Sequence, residues 1–101
     1  MYPPVSRLIC ITTRSRSETK ASFTAEALMR ELEKRIPRAQ AIVAGPTPAP
    51  LAKVQNQYRF QIMLRTQHIM QVIESLSQGL ASLKPPEDVS IAVDVDPVSL
   101  L

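Results

Sequence analysis

Gly45-Pro46-Thr47-Pro48-Ala49-Pro50-Leu51-Ala52-Lys53 leads, three residues later, into Gln57-Tyr58-Arg59-Phe60-Gln61-Ile62-Met63-Leu64. Alternate prolines exclude a helix and withhold the N–H donors of a strand ladder. They favour an extended, polyproline-like arm with few conformers to lose. The arm, residues 45–57, joins two strand-like runs, Ala41 to Ala44 and Tyr58 to Leu64. A stiff arm that delivers a basic, aromatic strand suits the holding of a partner better than the making or breaking of bonds.

Outward from this pair the pattern alternates between periods. Val5 to Thr13, rich in Ile, Leu, Val and Thr, predicts a first strand. Thr12 to Ser17 is a basic turn with Arg14 and Arg16, and Ser17 or Thr19 can cap the helix that follows. There Ala21, Ala25, Leu28, Met29, Leu32 and Ile36 recur at helical spacing, opposite Glu26, Arg30, Glu33 and Lys34, and Pro37 ends the run. Downstream, Thr66 is the expected cap of a second helix with the stripe Ile69, Val72, Ile73, Leu76, Leu80 and Leu83, closed by Pro85-Pro86. Val89, Ile91, Val93 and Val95 then alternate with Ser90, Ala92, Asp94 and Asp96, the mark of a half-buried strand. The order is βαββαβ. Two crossovers place both helices on one face of a four-stranded antiparallel sheet, an α/β (α+β) two-layer sandwich.

Alternation assigns faces. Tyr58, Phe60, Ile62 and Leu64 form the core set of the third strand, so Arg59, Gln61, Met63 and Arg65 point to the helix-free face. Asp94 and Asp96 take the non-core side of the last strand. In the first strand either Ile9 and Ile11 or Leu8 and Cys10 must face outward, and an apolar pair on a bare sheet suggests docking.

The chain of 101 residues suits one domain, and 45% hydrophobic content supports a packed interior. Apolar runs are too short for a membrane-spanning helix, and no secretory signal is evident at the N-terminus. Cys10 is the only cysteine, which excludes an internal disulfide and makes a reducing, cytoplasmic location the expectation. Net charge of +3 and a pI near 9.4 are compatible with nucleic acid without being diagnostic.

Catalytic chemistry finds little support. A phosphate-binding loop needs clustered glycines and a Lys-Ser/Thr pair, and the two glycines here, Gly45 and Gly79, lie far apart. Cys10 and His68 cannot hold zinc alone; they read as a small strand thiol and a polar first-turn residue. Asp94 and Asp96 share a strand face and could bind Mg²⁺, or could simply keep a strand end in water, facing Arg59. Tyr58 and Phe60 could stack bases, but alternation with Ile62 and Leu64 favours the core. Arg7, Arg14, Arg16, Lys53, Arg59 and Arg65 form the candidate cationic surface.

Four stretches together carry a resemblance: Tyr2-Pro3-Pro4-Val5-Ser6-Arg7-Leu8, the arm Gly45 to Lys53, Tyr58-Arg59-Phe60-Gln61, and Asp94-Val95-Asp96-Pro97-Val98-Ser99-Leu100. In this order they resemble the C-terminal domain family of primosomal protein N′ (PriA), the bacterial replication-restart helicase, over essentially the whole chain. The resemblance implies a fold similar to a small-subunit ribosomal protein. It implies a parent that unwinds DNA 3′ to 5′ with ATP and Mg²⁺, whose motor and cysteine-rich zinc-binding regions lie outside these residues. This domain would then pack on the motor domains, help bind single-stranded or forked DNA through Arg14, Arg16, Lys53, Arg59 and Arg65, and contribute to a pocket for the acidic tail of single-stranded-DNA-binding protein. The family pattern has a basic residue in the first turn of the second helix; here Gln67, His68 and Ile69 stand there, leaving Arg65 as the nearby cation and that tail's binding in question. A stand-alone protein-interaction or RNA-binding domain of ribosomal-protein type is the alternative.

Overall fold

A computed structural model describes residues 6–96, with the side chains of residues 50–54 excepted. Met1 to Val5, Pro97 to Leu101, and the side chains of Leu51 and Lys53 therefore lie outside what is described. The element order is β1 (Arg7–Ser15), α1 (Glu18–Arg35), β2 (Ala41–Val54), β3 (Gln57–Thr66), α2 (Ile69–Ser82) and β4 (Ser90–Val95). The strands form one antiparallel sheet in the order β2-β3-β1-β4. This is the expected βαββαβ sandwich.

The core forms where the apolar stripes of both helices meet one face of the central strands. Ile9 and Ile11 of β1 lie opposite Leu64 and Ile62 of β3, and all four are fully buried. Leu28 and Leu32 of α1 and Val72 and Leu76 of α2 close over them. Each such burial is worth about 1.5–3 kcal/mol. The ambiguity of the first strand is thereby resolved: Ile9 and Ile11 face the helices, Leu8 and Cys10 the other side.

Local chemistry fixes the junctions. Ser17 caps α1, its hydroxyl accepting from Lys20 N at 3.2 Å, and Ser15 Oγ accepts from Ser17 N at 3.0 Å. Thr13 Oγ1 donates to Ala21 O at 2.9 Å, tying β1 to α1. Thr66 does not cap α2; the cap position is His68, without a side-chain bond. Thr66 Oγ1 instead accepts from His68 N at 2.8 Å and donates to Gln40 O, bridging the chain into β2 and the turn before α2.

The proline segment departs from the expected connector. It continues β2 as far as Val54, pairing with β3 in a register that shifts between Ala44 and Thr47 and again between Pro48 and Lys53. An edge strand needs donors on one side only, so prolines are tolerated where the ladder is interrupted. Gly45 has φ of +113°, and its peptide bond to Pro46 is cis. The hairpin closes through Gln55 and Asn56, both at positive φ, as a type I′ turn requires.

Candidate nucleic-acid interface

The helix-free face of the sheet can be read in rows from the strand registers. One row holds Ile42, Arg65 and Leu8; the next holds Ala44, Met63, Cys10 and Asp94. Then come Thr47, Gln61, Thr12 and Ala92, and finally Arg59, Arg14 and Ser90. Arg14 and Arg59 are therefore direct cross-strand neighbours. Like charges placed opposite one another on a sheet are destabilising. Neither arginine has a carboxylate within ion-pair distance among the described residues; the ion pairs there are Arg7–Asp96, Lys20–Asp88 and Glu31–Arg35. Two arginines at paired positions concentrate positive charge at this end of the helix-free face.

The other sequence-selected cations separate. Arg65 is six residues from Arg59 along β3, about 20 Å at strand rise. It lines a recess of about 220 Å³ at the opposite end of the sheet, with Arg38, Gln40, Ile42, Gln67 and His68. Arg16 is exposed in the turn between β1 and α1. Lys53 lies in register with Tyr58, and Arg7 is spent on Asp96. Sequence reasoning missed Arg38. It follows Pro37 in the α1–β2 turn, and only the pairing of Ile42 with Arg65 brings it near that residue.

The acidic pair also divides. Asp96, at positive φ just past β4, accepts from Leu8 N at 3.0 Å and from Arg7 Nε. The backbone bond first, and the Arg7 guanidinium second, hold its carboxyl below the ordinary carboxylate value. Asp94 remains on the helix-free face beside Cys10. Burial pushes the Cys10 thiol up, Thr12 and Arg59 oppose that, and Asp94 reinforces it. The aromatic residues do not join this face: Tyr58 and Phe60 are in register with Ser15 and Thr13, both buried on the helix side. The helix-free face thus carries Arg14 and Arg59 without Tyr58 or Phe60.

Element and strand order define a two-layer α+β domain. A de novo designed protein, Foldit4, shares the fold at a TM-score of 0.60 with 12% identity, over 94% of this chain and 100% of that one. The chain belongs to the primosomal protein N C-terminal domain family, which it matches over residues 1–98. It is 35% identical over 100 residues to replication restart protein PriA of Treponema pallidum, covering 99% of this chain and 15% of that protein. The PriA of a Synechocystis species is 29% identical over 99 residues, covering 98% of this chain and 12% of the relative. The resemblance drawn from the proline segment and the terminal motifs is borne out, and the chain corresponds to a small part of those replication restart proteins. Among the described residues no helix is long and apolar enough to cross a membrane.

Proposed function

We propose that this chain is the C-terminal DNA-binding and docking module of a bacterial replication-restart helicase, working in the cytoplasm at stalled forks. The chain itself is non-catalytic in this reading. ATP, Mg²⁺ and zinc belong to the parent's other regions, and the motor domains are its covalent neighbours. The observation that carries the DNA reading is the Arg14–Arg59 pair, an arrangement that costs stability unless an anion sits over it. Few phosphate contacts imply weak, sequence-independent binding, with Kd on the order of 10⁻⁴–10⁻⁶ M. Fluorescence anisotropy with labelled single-stranded and forked DNA at low salt is the test. Arg14→Glu/Arg59→Glu should abolish the signal, while Glu33→Gln on α1 leaves it intact. Unchanged binding by the reversed pair would remove the DNA reading, and a preference for folded RNA would favour the ribosomal-protein alternative.

A second reading concerns the recess at Arg65. Arg38 and Arg65 flank Ile42, which is 69% exposed, so cations and an apolar surface stand together. That combination suits an acidic peptide with apolar side chains, such as the acidic tail of single-stranded-DNA-binding protein. Arg38 supplies a cation that the first turn of α2 does not. Loss of binding to such a peptide in Arg38→Ala/Arg65→Ala, with DNA affinity reduced much less, is the expected result.

A further inference from the structure

The opposite layer carries a feature that DNA binding does not use. Phe23 lies off the apolar stripe of α1 and is 62% exposed. It is not isolated: with Phe60 of β3 and Pro48 of β2 it walls a cleft of about 500 Å³, and Glu18, Thr19 and Glu26 form the rim. It is an open depression on the surface, reachable by a partner, and not a closed void in the packing. Pro48 reaches this position because the shifted register of β2 sets it opposite Phe60, so the proline segment builds one wall.

The rim is acidic in a chain of net charge +3. Neither Glu18 nor Glu26 is paired with a cation among the described residues. Lys20, the nearest lysine of the same helix, is drawn instead to Asp88, 3.3 Å away. Two carboxylates repel phosphate, so a nucleic acid is the wrong occupant. Carboxylates beside aromatic rings attract a guanidinium, which stacks on rings and is weakly hydrated. Phe23, Phe60 and Pro48 add apolar surface for the neighbours of that guanidinium. We propose that this cleft docks an arginine-bearing, otherwise apolar segment of a protein partner. The inference stands apart from the DNA reading, because the cleft lies on the helix side of the sheet.

The test is an amide-shift titration of the ¹⁵N-labelled chain with the blocked peptide acetyl-Leu-Arg-Leu-Arg-Leu-amide and its counterpart with Glu in place of both Arg. The basic peptide should give saturable shifts centred on Phe23, Glu26 and Phe60, and the acidic one none there. Phe23→Ala, at a mostly exposed position, and separately Glu18→Gln/Glu26→Gln, should each weaken binding about threefold or more. Absence of saturable shifts in the cleft, an equal response to the acidic peptide, or affinity unchanged in both variants would overturn the proposal. So would single-stranded DNA shifting the cleft residues in place of those around Arg14 and Arg59.

Discussion

Gly45→Ala tests how the proline-bearing strand is held to the sheet. Gly45 sits at φ of +113°, beyond the left-handed region that asparagine or aspartate reach. A Cβ there would lie 2.7 Å from Gln61 O and 3.3 Å from Ile62 Cα, both backbone atoms of β3, so no rotamer change relieves the contact. Ile62 is fully buried against the core, which blocks retreat of β3. Relief requires β2 to move away, loosening the pairs Ala44–Met63 and Thr47–Gln61. Backbone strain of about 1–3 kcal/mol and a weakened ladder bond worth about 0.5–1.5 kcal/mol oppose a gain of about 0.4–1 kcal/mol from the stiffer unfolded chain. The net expectation is a loss of about 2–3 kcal/mol, or roughly 10–20 °C in Tm for a domain of this size. Urea unfolding followed by far-UV circular dichroism measures it, with the m-value checked for constancy. A variant within about 0.5 kcal/mol of wild type would refute the reasoning, since that is the range of an unconstrained surface site.

Gly79 should behave oppositely, because a Cβ there meets Arg35 Cδ at 3.6 Å and Leu32 Cδ2 at 3.7 Å, ordinary contacts across the two helices. Gly79→Ala should stabilise by up to about 1 kcal/mol through helix propensity, and a lowered urea midpoint would show the helices to be closer than described. Ser17→Ala removes the acceptor of Lys20 N and should cost about 1 kcal/mol in the same assay; no loss would mean that water replaces the cap. Asp96 titrates lower folded than unfolded, so its contribution is full above the ordinary carboxylate pKa and fades as pH falls through the depressed value. The stability gap between wild type and Asp96→Asn should therefore shrink as pH falls below the ordinary carboxylate range, and a constant gap would contradict the Leu8–Arg7 clamp.

The parts of the fold legible in the sequence were those decided by periodicity. The stripes of α1 and α2 and the alternation of β3 name the central buried residues because helix and strand periods differ. In β4 alternation overreached: Val89 just before the strand is buried, but Val93 and Val95 are exposed because β4 is an edge strand at the end of the sheet. The α1 cap was narrowed by its place before an apolar-periodic run to Ser17 or Thr19, and the bond to Lys20 N selects Ser17. The reach of β2 was not, since proline's missing N–H argues against a strand without telling which edge of the ladder needs donors. Thr66 read as a cap because hydroxyl spacing alone does not say whether the oxygen serves the helix or the turn before it. At the candidate site, the facing of Arg59 and Arg65 followed from alternation, but the Arg14–Arg59 neighbourhood depends on β1–β3 register, which no local signal specifies. Arg38 and Phe23 were missed for different reasons. Arg38 joins the recess at Arg65 only through the pairing of β2 with β3, whereas Phe23, an aromatic residue off the apolar stripe of α1, was a signal present in the sequence.

The measurement that bears most directly on the central claim is the salt dependence of DNA binding by wild type, Arg14→Ala/Arg59→Ala and the exposed helix-side control Arg30→Ala. Each phosphate contact contributes about 0.7 to the slope of log K against log salt for single strands. The paired variant should lose about 1.4 from that slope and bind more weakly at every salt concentration, while the control keeps the wild-type slope. Equal slopes for all three proteins would contradict the claim that the helix-free face of the sheet meets the phosphate backbone.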